Sequence, residues 1–388
     1  MSEKPPFLRI LSLDGGGMRG ALSAKILEQV EKQIWEKENK SLTEYFDLVA
    51  GTSTGSILAA GIALGLKASD LFKIYDDKGK DIFSSKTRHL RKLGFGLSRL
   101  GLFARYSNKG LKEVLEKKLV FSNHLSDLAT DKLPSLLDIE KSPKSPNLLI
   151  LAYDTTHGST QYFASNAVDK ESGKPEWFTN QLISDICICS AAAPTFFPPY
   201  KLTNNGKEIT YIDGGVAANN PDLAAITHAI YTKTRVSSQE GNSNSGGGGL
   251  RLSDISLLSI GTGKIKKSFK YKEVDSWGLV KWATKIPDIF LAAPAQFEEA
   301  VTRQLISSLT EDKPYLRLNI DLKGKSDIDD PGIIEELVKA YNDQKAGIKY
   351  LDFTDMTSKT GRLEDLVNDF IHKNCRTSDQ DYFKNRFG

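Results

Sequence analysis

The chain has 388 residues with 52 basic and 49 acidic side chains, a net charge of +3, so bulk electrostatics selects neither nucleic acid nor any other polyanion as an obligate partner. Its length suffices to bury a large core as one big domain or two modest ones. Three cysteines, Cys187, Cys189 and Cys375, fit neither a disulfide framework nor a four-ligand zinc site and suit a reducing cytosol. The first residues run straight into Phe7–Leu13 without the basic start, long apolar core and cleavage site of a secretory signal, so a cytoplasmic location is expected.

In chain order, residues 7–13 alternate and then run apolar as a strand in a covered sheet does. From Ala21 to Lys37, apolar residues recur at helical spacing (Leu22, Ile26, Val30, Ile34), which predicts a strand, a glycine turn and a helix. Tyr45–Ala50 reads as a second strand and Ser56–Leu66 as an Ala-rich helix packed closely on the sheet. The uncharged run from Leu48 to Leu66 approaches the length of a membrane span, but Gly, Ser and Thr interrupt it, and it is read as buried strand, turn and helix. Further strands are expected at Asn147–Ala152, Glu208–Ile212 and Asp254–Ile260. Residues 237–249 are rich in Gly, Ser and Asn and are expected to form a floppy surface loop inside one domain. After residue 265 the pattern is mostly helical, with one strand at Tyr315–Ile320. The fold class is α/β with a mainly parallel sheet, the turns lining one edge, and helices beyond 265 covering the core.

Two turns carry chemistry. Asp14-Gly-Gly-Gly-Met-Arg-Gly20 opens a helix, where unpaired N–H groups and absent side chains let a negative charge approach the backbone. The same letters spell a dinucleotide fingerprint (Gly15, Gly17, Gly20), but that reading needs an acid at the end of the next strand, and Ala50-Gly-Thr-Ser53 stands there. In Gly51-Thr-Ser-Thr-Gly55 the flanking glycines relieve a sharp strand-to-helix turn that presents the Ser53 hydroxyl; without the first motif, Ser53 reads equally as a helix cap. A serine nucleophile needs a base. None of His89, His124, His157, His228 and His372 sits in a Gly-flanked strand end. Asp213, followed by Gly214 and Gly215, is the better base, provided it is partly desolvated and held against Ser53. A triad of Ser53, Asp213 and either His228 or His372 is the alternative, as are a nucleotide-binding module on Gly15–Gly20 and a catalytically silent scaffold.

Asp14–Gly20, Gly51–Gly55 and Asp213-Gly-Gly215 resemble, in order and spacing, the three motifs of the patatin-like phospholipases. Ser190–Pro199, Asn219-Asn-Pro221 and Leu258–Gly263 add to the similarity. The resemblance spans about residues 8–265. It implies a three-layer α/β/α core over 1–265, with 266–388 as a mainly helical C-terminal elaboration packed on it. It further implies Ser53 as nucleophile, Asp213 as base, the amides of Gly15, Gly16 and Gly17 as oxyanion hole, and Arg19 as a brace for the glycine turn. The implied reaction is phospholipase A-type hydrolysis of acyl esters in membrane lipids, with no cofactor; nothing in the chain names an activating partner or ligand. No metal is expected, because Asp14 and Asp213 lack companions at ligand spacing.

A lipid substrate requires a route to a membrane surface, reached transiently from the cytoplasm. Lys86–Arg105 carries six cations and no acid, interleaved with large apolar residues; Arg88, Arg91 and Lys92 are its candidate contacts with anionic lipid, against the alternative of a solvated basic face. Trp277–Phe290 suits packing or a channel wall better.

Overall fold

The computed structural model describes residues 8–76, 104, 106–122, 125, 132–169, 171–239, 250–264, 269–309, 315–320, 322, 333–344, 348–351 and 358–373. Strand β1 (Leu8–Leu13) leads through the glycine turn into α1 (Gly20–Glu38), followed by the single turn α2 (Leu42–Tyr45), β2 (Leu48–Thr52), α3 (Thr54–Ala63) and α4 (Ala68–Asp76). Next come α5 (Asn108–Lys118), α6 (Leu136–Glu140), β3 (Asn147–Asp154), β4 (Ser159–Ala164) and α7 (Ile183–Ala191). The chain continues with β5 (Tyr200–Asn204), β6 (Lys207–Asp213), α8 (Asp222–Gln239) and β7 (Ile255–Ile260). The last described elements are α9 (Tyr271–Asp275), α10 (Leu279–Leu309), β8 (Tyr315–Leu318), α11 (Ile333–Gln344), β9 (Ile348–Leu351), β10 (Ser358–Gly361) and α12 (Leu363–Lys373).

One sheet runs β5-β6-β3-β2-β1-β7-β8, with β4 also paired to β3, while β9 and β10 form a separate hairpin. Pairs β3–β2, β2–β1, β1–β7 and β7–β8 are parallel; β4, β5 and β6 join antiparallel. In β1, Leu11 and Leu13 enter one apolar core, with α1, α3, α4 and α7; Leu8 and Ile10 enter the other, with α8. Such two-sided burial is why the parallel strands read as continuous apolar runs. Each fully buried Leu or Ile here contributes about 1.5–3 kcal/mol of transfer free energy. The result is the expected α/β/α arrangement with a mainly parallel sheet.

Several local expectations shift. Tyr45 ends a helical turn instead of opening a strand, because Ser41 and Glu44 form a reciprocal capping box ahead of it. Strand β5 arises from Asn205-Gly206, whose φ values of 49° and 79° make the two-residue reversal that joins β5 to β6 with Asn204 opposite Lys207. Helix α8 extends to Gln239; the rest of the expected Gly/Ser loop, 240–249, lies outside the described residues. Trp277 is buried and packs edge-to-face on Phe269 and Trp282 at 4.8 and 5.0 Å, which suits the packing reading. Leu279 beside it is exposed. Among the described residues, no helix is long and apolar enough to cross a membrane.

Candidate active site

Strand β2 delivers Ser53 to a turn so tight that its backbone takes φ 54° and ψ −124°. That region is sparsely populated and costs about 1–3 kcal/mol unless its surroundings hold it. The surroundings are specific: Ser53 N–H donates to Ser190 Oγ at 2.8 Å, Ser190 Oγ donates to Leu151 O at 2.6 Å, and Ser56 Oγ donates to Ser53 O at 2.6 Å. Glycine is required at position 55, where a Cβ would lie 2.1 Å from Leu13 O. The apolar, fully buried α3 can therefore press against the sheet directly behind the serine.

Strand β6 brings Asp213 to the same place from the opposite direction. The antiparallel register sets Asp213 opposite Ala152 of β3, while the parallel register on the other side of β3 sets Thr52 opposite Leu151. Two residues 160 positions apart thus meet, and Ser53 Oγ donates to Asp213 Oδ2 at 2.6 Å. Asp213 Oδ1 accepts from Gly215 N–H at 2.7 Å. Both side chains are buried. Burial pushes the Asp213 carboxyl up to about 6, against the opposing pull of the Ser53 hydroxyl and the Gly215 amide.

The glycine turn lies against this pair: a Cβ on Gly15 would stand 3.1 Å from Ser53 Cβ and one on Gly16 would strike the Thr262 side chain. Gly17 has φ 59°, a conformation glycine adopts without steric cost. Gly15 is tied at both ends of its peptide units, its N–H donating to Asn219 O at 3.0 Å and its carbonyl accepting from Thr262 Oγ1 at 2.9 Å. Of the three amides expected to serve an oxyanion, that of Gly15 is therefore already occupied by a backbone carbonyl. The amides of Gly16 and Gly17 have no acceptor among the described residues. Arg19 reaches Gly263 O at 3.3 Å and lies 3.5 Å from Gly16 O.

Behind the turn is a buried charge network that sequence reasoning missed. Arg317 of β8 grips Asp14 with both terminal nitrogens, one at 2.8 Å from Oδ1 and the other on Oδ2. It also donates to Ser259 Oγ at 2.7 Å. Ser259 Oγ donates onward to Asp222 Oδ1 at 2.7 Å, and Tyr315 OH donates to Asp222 Oδ2 at 2.9 Å. Glu299 of α10 faces Arg317, Arg303 and Lys264. Burial pushes the Asp14 carboxyl up to about 6 even though Arg317 pulls it down. The available signal was a lone arginine at an inward-facing position of an apolar strand. Ser190, Asn219 and Thr262 stood in segments already marked for their similarity, without a role.

The histidines lie elsewhere. His228 Nε2 is 3.0 Å from Asn166 Oδ1, and burial lowers its pKa to about 4. His157 pairs with Asp154, and His372 is exposed on α12. Ser53 and Asp213 contact one another with no described histidine between them. His89, His124 and Cys375 lie outside the described residues, as do the membrane-contact candidates Arg88, Arg91 and Lys92; Cys187 and Cys189 are buried and free in α7. Among the described residues no group of three His, Cys, Asp or Glu is placed to hold a metal ion.

The chain is similar to several known proteins. Patatin-like protein 1 of Arabidopsis thaliana is 32% identical over 347 residues, 82% of this chain and 77% of that protein. A Solanum tuberosum relative named "Probable inactive patatin-3-Kuras 1" is 28% identical over 80% of this chain and 77% of its own. The solved heterodimeric ExoU-SpcU complex of Pseudomonas aeruginosa aligns over 96% of this chain and 52% of its own, with 15% identity and a TM-score of 0.41. The family model described as patatin-like phospholipase matches residues 11–226, a stretch that contains the glycine turn, Ser53 and Asp213. With more than half of its length matched in this way, the chain belongs to the patatin-like phospholipase family.

Proposed function

We infer that the chain, as a member of this family, hydrolyses lipid acyl esters. We propose that this chain is a phospholipase A-type lipid acyl hydrolase that works through an acyl-serine intermediate on a Ser53–Asp213 dyad. The observation that carries the reading is the 2.6 Å hydrogen bond from Ser53 Oγ to Asp213 Oδ2, made by a serine held at positive φ. As Ser53 Oγ bonds to the acyl carbon of the ester, its proton passes to Asp213, and the carbonyl π electrons move to the oxygen. The Gly16 and Gly17 amides receive that oxyanion. Collapse breaks the bond to the lipid alkoxide, which takes the proton from Asp213 and leaves as an alcohol. Water then repeats the sequence on the acyl-serine, with Asp213 again taking a proton and returning it to Ser53, and releases a fatty acid.

A carboxylate of ordinary pKa is too weak a base near neutrality; one raised to about 6 is better matched to that task. The reading extends to transient docking on anionic membranes through Lys86–Arg105, on its run of cations and apolar residues. A fluorophosphonate probe, in which Ser Oγ displaces fluoride from phosphorus, should label Ser53, and incubation with mixed membrane phospholipids should release fatty acid. Because one relative bears the name inactive, the probe is decisive. A folded protein that neither labels at Ser53 nor releases fatty acid is a silent scaffold.

A further inference from the structure

Resting on that reading of Ser53 and the glycine turn as the reacting centre, we propose that Arg317 is a positioning residue for the oxyanion donors. By gripping both oxygens of Asp14 it sets where the Gly16 and Gly17 amides stand relative to Ser53. Arg317 lies well past the family-matched stretch, which ends at 226, and belongs to the last strand of the main sheet.

Three successive glycines hold no side chains to pack, and glycine has the widest backbone freedom. Fixed geometry must therefore come from tethers: the ties on Gly15, the contacts of Arg19, and those at the turn's root. Asp14 is that root: its N–H donates to Ile260 O at 3.1 Å, and its carboxylate is the first side chain after β1. The register places Arg317 opposite Ser259 on β7, with Ile260 opposite Leu13 of β1, so the arginine reaches across one intervening strand to the start of the turn. A bidentate fork fixes a carboxylate in plane as well as in distance, which a lysine ammonium does not. A buried pair of this kind is weak evidence for stability, since apolar residues of like volume often serve a fold as well. Its place at the root of the donor turn makes geometry its natural product. Donor placement matters steeply: a shift of about 1 Å at a reacting centre costs on the order of 10²-fold in rate.

Two variants test this in the full-length chain, Arg317→Lys, which keeps the charge and loses the fork, and Asp14→Asn, which keeps the shape and loses the charge. Tyr315→Phe, which removes a hydroxyl bonded to Asp222 in the same network, is the control for general loosening. All are read below their melting temperatures with a soluble short-chain ester and with the fluorophosphonate probe. Arg317→Lys and Asp14→Asn should each lower kcat and the labelling rate by about 10–100-fold with KM within about twofold, because the oxyanion exists only beyond the ground state. Tyr315→Phe should lower Tm and leave both rates unchanged. Unaltered kcat in folded Arg317→Lys and Asp14→Asn overturns the inference. So does an equal loss in Tyr315→Phe, and so does failure of both Arg317→Lys and Asp14→Asn to fold, since the pair would then be a requirement of folding. Absence of Ser53 labelling in the unaltered protein overturns the functional reading itself, and this inference with it; labelling that is unchanged in the variants overturns this inference alone.

Discussion

Asp213 and Asp14 lie at the ends of two strands, are equally buried, and are both pushed by burial to about 6. Their neighbours differ. Asp213 faces a neutral hydroxyl and a backbone amide, whereas Asp14 faces a guanidinium. A carboxylate whose nearest partner carries a movable proton is placed to exchange it; one whose partner never gives up a proton is a fixed charge. The same perturbed acidity therefore accompanies two different jobs, and the partner distinguishes them, as the pKa alone does not.

The largest expected effect tests the proton-exchanging side. Ser53→Ala and Asp213→Asn should each lower ester hydrolysis by roughly 10³-fold or more, with the double variant little worse than either, because residues that act as a unit lose their effect together. Retained activity in Asp213→Asn, together with loss in His228→Ala, would replace the dyad by a triad, despite the 3.0 Å contact that turns His228 toward Asn166.

Stability should separate the two aspartates in sign. Folding favours the protonated form of Asp213, since its carboxyl titrates at about 6 in the folded chain against an ordinary value of 3.8. That contribution is complete below the ordinary value and is lost as pH rises through about 6, above which the ionised group opposes folding. Asp213→Asn should therefore stabilise the protein at neutral pH by up to about 3 kcal/mol, by the conversion of roughly 1.4 kcal/mol per unit. The Asp14 carboxyl is likewise pushed to about 6, so its ionised form also costs stability, but Asp14→Asn in addition strips Arg317 of a buried counter-charge and should therefore destabilise the protein at neutral pH. Thermal melts of both variants across pH 4–8 decide the matter; Tm changes of the same sign in both would dissolve the contrast.

A smaller effect appears in the pH profile. With Asp213 as base, kcat/KM should rise with pH through a deprotonation centred near the value of about 6, which reports the free enzyme. Asp14, whose carboxyl is pushed to about the same value, should add a second proton to the acid limb, because its protonation loosens the grip of Arg317. An acid limb of one proton would mean that Asp14 stays ionised across the working range.

How much of this was legible along the chain follows from the range of the interactions. Both strand-turn-helix units were readable because each is local: an apolar run, glycines and a helical period lie within thirty residues of one another. Ser53 and Asp213 stood out for the same reason, the first between glycines and the second followed by two of them, each at a strand end. Their meeting required the register of β6 on β3, and β5 beside them was missed although Asn205-Gly206 is a strong hairpin signal. The spent amide of Gly15 was illegible, since its acceptor is the Asn219 carbonyl and a backbone acceptor leaves no mark in the letters. Arg317 was illegible as Asp14's partner because 303 positions separate them and no local pattern couples a strand arginine to a distant turn.

The smallest expected effect concerns a segment outside the described residues. Lys86–Arg105 holds six cations without an acid among large apolar residues, a composition suited to an anionic lipid surface, where each cation is worth about 1 kcal/mol and salt screens the term. Reversing three of them, Arg88→Glu, Arg91→Glu and Lys92→Glu, should weaken binding to phosphatidylserine-containing vesicles sharply at low salt and progressively less as salt rises. Hydrolysis of a soluble short-chain ester should be nearly unchanged, because that substrate needs no surface. The pairing of assays is what gives the test its force: docking and chemistry fall together only if the segment supports the active site. Equal losses on vesicles and soluble ester would assign Lys86–Arg105 to the fold, and unchanged vesicle binding in the folded triple variant would leave its cations as a solvated face.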